Sequence, residues 1–541
     1  MRRIALAVAV AAAASLRPAA GCTNIIVTRG ASVDGSVIIT YAVDGEFLPA
    51  LRAVPAADHA PGELYEVRDR EGSVRLRIPQ PPHTYAVVGI MNEHQLAIGE
   101  TTFDGRPELE NKQGGLHYMA LIRLALQRAR TAREAIKVMT DLVEEFGYGS
   151  TGESFSIADP NEAWILEMIG PGPGGKGALW VAVRVPDGTI SAHANKSRIS
   201  TFPMNDPANC VYSPNVVAFA VAKGYYDPKT DGPFRFCEAY CPSTAQSLRY
   251  TETRVWSIFR RAAPSLALPL DYTRGVGGAK PYPLWIKPDR KLSVQDVMAL
   301  MRDHYEGTPL DMTKGVDAGP YGSPLRARPM TFKVDGATYS WERPISTQQT
   351  GCSYVAHSRS FLPDEVGGVL WYGVDDTYTS CYFPLYAGIA AVPPSFARGS
   401  LQKFSWDSAW WVFNLVANYA QLRFSDMSGD ILKTQRELEG NFLAVQPAIE
   451  RTALEMLRGD RERARRFLTD YSVSAGEQVF RRWQELAEAL FTKYNDGYVK
   501  DDAGQPGEPG YPEGWLREVV KASPDRLRLP PDGVVKSPSS Y

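Results

Sequence analysis

The chain has 541 residues, 44% of them hydrophobic and 22% charged, a globular composition with room for about two to four domains. Lysine and arginine number 59 against 61 aspartates and glutamates, a formal charge of −2, and the three arginines before Cys22 leave the remainder more acidic still. These figures exclude a disordered chain, a collagen-like repeat, a bundle of membrane helices and a basic footprint for nucleic acid.

At the amino terminus Arg2 and Arg3 precede an unbroken apolar run from Ile4 to Ala14. That run falls short of the roughly 20 residues that span a bilayer. Small residues follow, with Ala19 and Gly21 at −3 and −1 to a cut before Cys22, so residues 1–21 read as an exported signal peptide. Charge or proline interrupts every later apolar run, and no membrane span is expected. The mature protein is expected to be exported, periplasmic or extracellular, and soluble. A cysteine directly after a signal peptide has two meanings: the acylated anchor of a lipoprotein, or the catalytic residue of an N-terminal nucleophile hydrolase. The lipoprotein signal prefers leucine where this chain has Ala19, but the signal alone leaves both open.

From Cys22 the sequence predicts a series of β-hairpins: CTNIIVTRG with SVIITYAVD, then YAVVGIMNEHQLAIGETTF bending at Asn92 to His94. SFSIADPNEAWILEMIG turns at Asp159 to Asn161, and ALWVAVRVPDGTISAHAN turns at Pro186-Asp187-Gly188. Strands joined by short turns are antiparallel. Helical spacing places Tyr118, Leu121, Ile122 and Leu126 on one helix; a Thr131/Glu134 capping box opens a second, which stops near Gly147. Another helix follows Ser293 and carries Val297, Leu300, Met301 and His304. Beyond Pro393-Pro394, Trp406, Trp410, Phe413 and Ala417 share a helical face. A further helix is predicted over roughly 432–468, and a last one opens at a Ser474/Glu477 box. Trp406, Trp410 and Trp411 read as core before they read as a ligand platform. Residues 501–541 are rich in proline and glycine and read as an extended, loosely packed tail.

Six cysteines are present, and export permits disulfides. Cys352–Cys381, and Cys210 with Cys237 or Cys241, are plausible bridges, although connectivity does not follow from sequence. Cys237 and Cys241 lack a second pair of metal ligands nearby, and none of the seven histidines forms a compact ligand motif. GPGPGGKG at 170–177 approaches a phosphate loop, but Gly177 replaces the magnesium-holding hydroxyl and two prolines remove backbone donors. It reads as a hairpin loop.

In a chain starting at Cys22, the thiol lies beside its own α-amine, whose ordinary pKa of about 7.7–8.0 leaves it partly neutral and able to act as general base. No catalytic histidine is then needed. CTNIIVTRGASVDGSVIITYAVD resembles the opening of the cysteine dipeptidases of the N-terminal nucleophile (Ntn) hydrolase superfamily. MNEHQLAIGETTF, GSTGESFSIADPNEAWILEMIG, SAHANKSRI and TETRVWSIFRRAAPSL are similar to later blocks of that family, in the same order, to about residue 270.

The resemblance implies an α+β fold, a four-layer αββα sandwich of antiparallel sheets, here with an added C-terminal helical region. It implies hydrolysis of dipeptides through a thioester acyl-enzyme, with no cofactor and no metal. Cys22 is then the nucleophile, Asp44 the acidic residue that orients its α-amine or binds the substrate's, Asn195 an oxyanion donor and Arg254 an arginine beside the nucleophile. Tyr41 stands where many relatives carry arginine, which puts substrate preference and pH optimum in question. Tyr41, Glu100 and Glu153 are candidate substrate-binding residues. Without the family, Asp44 and Asn195 read as turn or cap residues, Arg254 as the partner of Glu252, and Glu100 and Glu153 as surface ion-pair members. The expected divisions are a signal peptide over 1–21, a catalytic domain over 22–395, a helical region over 396–500 and a tail over 501–541. An amidase acting on N-acyl compounds and a non-catalytic lipid-anchored binding protein are the alternatives. A dipeptide is the expected partner, with homo-oligomerisation open.

Overall fold

A computed structural model describes residues 21–529 apart from 69–71 and 112–113; residues 1–20, all but the last of the expected signal peptide 1–21, and residues 530–541 lie outside the described residues. The protein is α+β and built on two large antiparallel sheets. In the first, strand β1 (Cys22–Val27) lies between Ile190–His193 and strand β2 (Val37–Asp44), and β2 continues to Thr350–Ser358, Val369–Val374 and Phe383–Tyr386. The second runs from Cys210–Tyr212 through Leu179–Arg184, Ala163–Ile169, Gly152–Ala158 and Ala97–Phe103 to three two-residue strands, the last of them Ala53–Val54.

Side-chain alternation shows how the second sheet is used. Along Ala163–Ile169, Ile165 and Ile169 join the core shared with the first sheet, whereas Trp164, Leu166 and Met168 pack with helices α1 (Tyr118–Arg128) and α2 (Ala132–Phe146). With both faces covered, this strand reads as a nearly continuous apolar run. The helix Ala245–Ala262 and the shorter Val294–Leu300 contribute Val255, Ile258, Val297 and Met298 to the first core. Half of the Thr131/Glu134 box forms: Thr131 Oγ1 accepts from Glu134 N at 3.2 Å, while the Glu134 carboxylate accepts from Arg130 N at 2.7 Å, one residue before the cap.

Several local expectations are corrected. Leu179–Arg184 and Ile190–His193 are not a hairpin; they belong to different sheets, and Pro186–Thr189 crosses between them. The crossing is tied to the far end of β1, where Thr28 Oγ1 donates to Thr189 O and Gly30 N donates to Asp187 Oδ1, both at 2.7 Å. The helix after Ser293 ends at Leu300, short of His304. No helix starts at Ser474. Two long helices, Phe424–Leu457 and Arg461–Lys493, meet at Gly459-Asp460, where Asp460 caps the second by accepting from Arg463 N at 2.9 Å. Trp406 precedes its helix (Ala409–Ala420) and is half exposed, and the tail contains the helix Glu513–Ala522.

All six cysteines are unbridged. Cys352 pairs across the sheet with Val374, while Cys381 turns its thiol to Tyr382 O at 3.7 Å.

The C-terminal helices share the first sheet's core instead of forming their own: Trp483 stacks on Phe413 at 4.7 Å, and both join that core. Asp375, just past Val369–Val374 in left-handed conformation (φ 67°), accepts from Asn414 Nδ2 at 3.0 Å and ties helix to sheet. Burial pushes its carboxyl up to about 8, with the neighbouring Asp376 charge adding to the rise. The folded state therefore keeps a proton that the unfolded chain releases near pH 4. This group's contribution to stability is intact below that pH and falls by about 1.4 kcal/mol per pH unit until about pH 8. Asp375→Asn, which tolerates the same backbone conformation, is expected to flatten that decline. Urea midpoints between pH 5 and 8 measure it; parallel curves for the two proteins would refute it.

Candidate active site

Cys22 opens β1 and is only 3% exposed. It sits opposite Val43 of β2, so the period of two puts Tyr41 on the same side. The strand Ala97–Phe103 meets its short neighbour Met91–Asn92 only at Ala97, leaving one edge open beside β1 and β2. Gly99 makes the approach close: a Cβ there would lie 2.7 Å from Asn24 Nδ2 and 3.1 Å from Thr40 O. Glu100 is thereby brought to the nucleophile. Cys22 Sγ lies 3.6 Å from Glu100 Oε1, and Tyr41 OH donates to the same oxygen. Glu153 stands diagonally on the next strand, opposite Thr102. Thr102 Oγ1 bridges the two acids, 3.0 Å from Glu153 Oε1 and 3.4 Å from Glu100 Oε2. Both carboxyls are fully buried, which overturns the surface reading of each.

The other side of Cys22 is built around its nitrogen. Cys22 N donates to Asn195 Oδ1 at 3.0 Å. Asn195 follows Ile190–His193 with φ 59°, a left-handed conformation that asparagine adopts more readily than most residues. The segment behind it is pinned by buried Glu167, which accepts from Ser197 Oγ at 2.5 Å, Arg198 N at 2.6 Å and Ile199 N at 3.2 Å. Arg254, on the helix Ala245–Ala262, fixes the amide's orientation. Its Nη2 donates to Asn195 Oδ1 at 2.9 Å and Ala194 O at 3.2 Å, and its Nη1 to Cys22 O at 2.7 Å and Thr23 Oγ1 at 2.9 Å. Asn195 Nδ2 in turn donates to Thr102 O at 2.7 Å. Glu252 pairs instead with Arg198 at 3.1 Å, so Arg254 is not its surface partner.

Asp44 is held one step away. Arg343 Nη2 donates to its Oδ2 at 2.8 Å and Thr350 Oγ1 to its Oδ1 at 2.7 Å, while Asp44 N donates to Gly21 O at 2.9 Å. Asn195, and not Asp44, hydrogen-bonds the Cys22 nitrogen. Gly21 lies flat on the Arg343 guanidinium, where a Cβ would come within 1.8 Å of its carbon. Beside Tyr41 and Val43 a crevice of about 380 Å³ opens between β2 and α1, bordered by Phe47, Met119, Ile122 and Tyr354.

Burial raises the Cys22 thiol well above its ordinary range, and the charges of Glu100 and Asp44 add to that. Burial also raises Glu100, Glu153 and Asp44, the second further through its neighbour Glu100 and the third in spite of Arg343. Arg254 is lowered to about 10 by burial and by the charge of Arg343. Sequence reading missed Thr102, Glu167, Arg343 and Thr350. Of these, only Glu167, a lone acid in the apolar strand AWILEMI, carries a local signal. Among the described residues no group of three or more His, Cys, Asp or Glu side chains is placed to hold a metal ion, and no helix is long and apolar enough to cross a membrane.

A buried thiol, an oriented backbone nitrogen and a set of buried carboxyls define a site suited to nucleophilic acyl transfer. Residues 77–437 match the model of peptidase family C69, and the chain belongs to that family. It is thus a peptidase, a hydrolase. The matched segment carries Glu100, Glu153, Asn195 and Arg254 and lies downstream of Cys22, Tyr41 and Asp44. A protein named probable dipeptidase from Salmonella dublin is 29% identical over 402 residues, covering 70% of this chain and 84% of its own. Probable dipeptidase A of Streptococcus pyogenes serotype M3 is 25% identical, covering 83% and 94%. Dipeptidase A of Lactobacillus helveticus is 24% identical, covering 74% and 82%.

Proposed function

We propose that this peptidase is an exported dipeptidase whose mature form begins at Cys22 and hydrolyses dipeptides through a thioester on that residue. The observation that carries it is the treatment of one residue's sulfur and nitrogen. The thiol is buried beside Glu100, and the nitrogen is held by an asparagine that a buried arginine orients. The relatives named dipeptidase and the family support the substrate class. The two facing sheets, one backed by α1 and α2, fit the αββα layering of Ntn hydrolases.

In the proposed cycle, cleavage before Cys22 converts its amide to an amine and uncovers Arg343 and Asp44. The positive charge of Arg254 disfavours the ammonium form and keeps the amine available as base. The amine takes the thiol proton, the thiolate attacks the scissile carbonyl, and Asn195 Nδ2 with backbone N–H groups stabilises the oxyanion. The C-terminal amino acid leaves with the proton, and water hydrolyses the thioester. The crevice beside Tyr41 accommodates apolar side chains.

A panel of free dipeptides and their N-acetyl counterparts tests this, together with the mass of the mature N-terminus. The expected result is hydrolysis of free dipeptides by protein starting at an unblocked Cys22. Preference for N-acylated substrates would assign an amidase instead, and a lipidated Cys22 would reject the mechanism.

A further inference from the structure

Glu100 and Glu153 pose a physical problem that the reaction cycle does not use. Two carboxyls are buried against each other, and among the described residues neither makes an ion pair. Their donors are neutral, namely Tyr41, Thr102, Ser150 and the Cys22 thiol, and the two carboxyls also hydrogen-bond each other, which adds to burial in raising Glu153 and leaves the negative charge on Glu100. No hydroxyl or amide donor reaches Glu153 Oε2, and the hydroxyl of Tyr148, fully buried, feels the charge of both acids. A buried anion without a cation is costly, and a negative charge 3.6 Å from a nucleophilic sulfur opposes its ionisation. The site as it stands works against its own nucleophile.

Resting on the dipeptidase reading, we propose that the Glu100–Glu153 pair is the receptor for the substrate's free α-ammonium group, and that this cation relieves the charge holding back the Cys22 thiol. The geometry suits such a receptor. In a dipeptide the α-nitrogen is separated from the scissile carbonyl carbon by a single carbon. A thiol placed to attack that carbon therefore has the ammonium as its near neighbour, where Glu100 Oε1 lies. An N-acylated compound brings no charge there. It leaves the pair uncompensated and the thiol suppressed, so the same two acids select for a free amine and couple its arrival to activation. The titratable groups facing the pair are Cys22 and Tyr41 from the first sheet, Tyr118 at the start of α1, and Tyr148 ahead of Gly152–Ala158. None of these brings a positive charge, and the α-amine that the mature Cys22 adds is held neutral beside Arg254.

Glu100→Gln is expected to act in opposite directions on two readouts. Hydrolysis of a free dipeptide should lose about 10- to 100-fold in kcat/KM, mostly through KM, the scale of a lost hydrogen bond to a charged group. Alkylation of Cys22 by iodoacetamide in the substrate-free enzyme at pH 7 should become faster, because the opposing charge is gone. Glu153→Gln should weaken dipeptide binding in the same sense. A measurement on the unmodified enzyme covers the case in which neither variant folds: n-butylammonium chloride should inhibit dipeptide hydrolysis competitively, and n-butanol at the same concentration should not. Unchanged KM in Glu100→Gln, slower alkylation, or equal inhibition by amine and alcohol would each overturn the proposal. A wild-type enzyme that cleaves no dipeptide would instead overturn the dipeptidase reading, and the alkylation rates would still report on Glu100.

Discussion

Cys22→Ala is expected to abolish dipeptide hydrolysis, on the order of 10⁶-fold, while the protein stays folded. The two thiols in the same sheet offer no substitute. Cys352 and Cys381 are buried in the sheet core, and burial raises both thiols above their ordinary range. The small volume change should leave β1 in register between its two neighbours. Turnover of the purified variant, with its melting curve as the folding control, decides the matter; hydrolysis retained within tenfold would remove Cys22 from the chemistry.

Arg254 carries the second large expectation. Its guanidinium donates to five acceptors on three segments of chain: Tyr250 O, Cys22 O, Thr23 Oγ1, Ala194 O and Asn195 Oδ1. Arg254→Met strands those acceptors in the interior and is expected to cost about 3–5 kcal/mol of stability. It is also expected to lower kcat by about 100-fold or more by releasing Asn195. The pH profile separates positioning from mere scaffolding. Without a positive charge beside it the amine holds its proton to higher pH, so the acidic limb of kcat/KM should shift upward. Arg254→Lys should return that limb towards its original place while recovering only part of the stability, since three N–H donors replace a rigid fork. An unshifted limb in Arg254→Met would show that the charge does not act on the base.

What could be read in the sequence follows the range of the interactions. The hairpin around Asp159 was legible because the turn is made by its own residues: Asp159 Oδ1 accepts from Asn161 N at 2.8 Å and Glu162 N at 3.1 Å. Pro186-Asp187-Gly188 has equally good turn chemistry, yet its partners lie just past β1, some 160 positions earlier, and they send the chain to the other sheet. The Ser474/Glu477 pattern failed for a related reason. A capping box is a permission to start, and the stronger break at Gly459-Asp460 had already started the helix. In the site, Cys22, Asn195 and Arg254 were found through blocks resembling a known family. Arg343 and Thr350 carried no such mark, because their importance comes only from meeting Asp44 about 300 residues away.

That long span has a consequence for biosynthesis. The Asp44 clamp closes only after residue 350 has been made, more than 320 residues behind Cys22. At about 5–20 residues per second, roughly 15–65 s pass between the ribosome's addition of the thiol and the completion of its enclosure. For that interval the sulfur's enclosure is incomplete, because the strand Thr350–Ser358 that pairs with β2 has yet to be made. An oxidant or a stray electrophile meets it as an ordinary cysteine, and a chain broken off before Arg343 keeps it in that state.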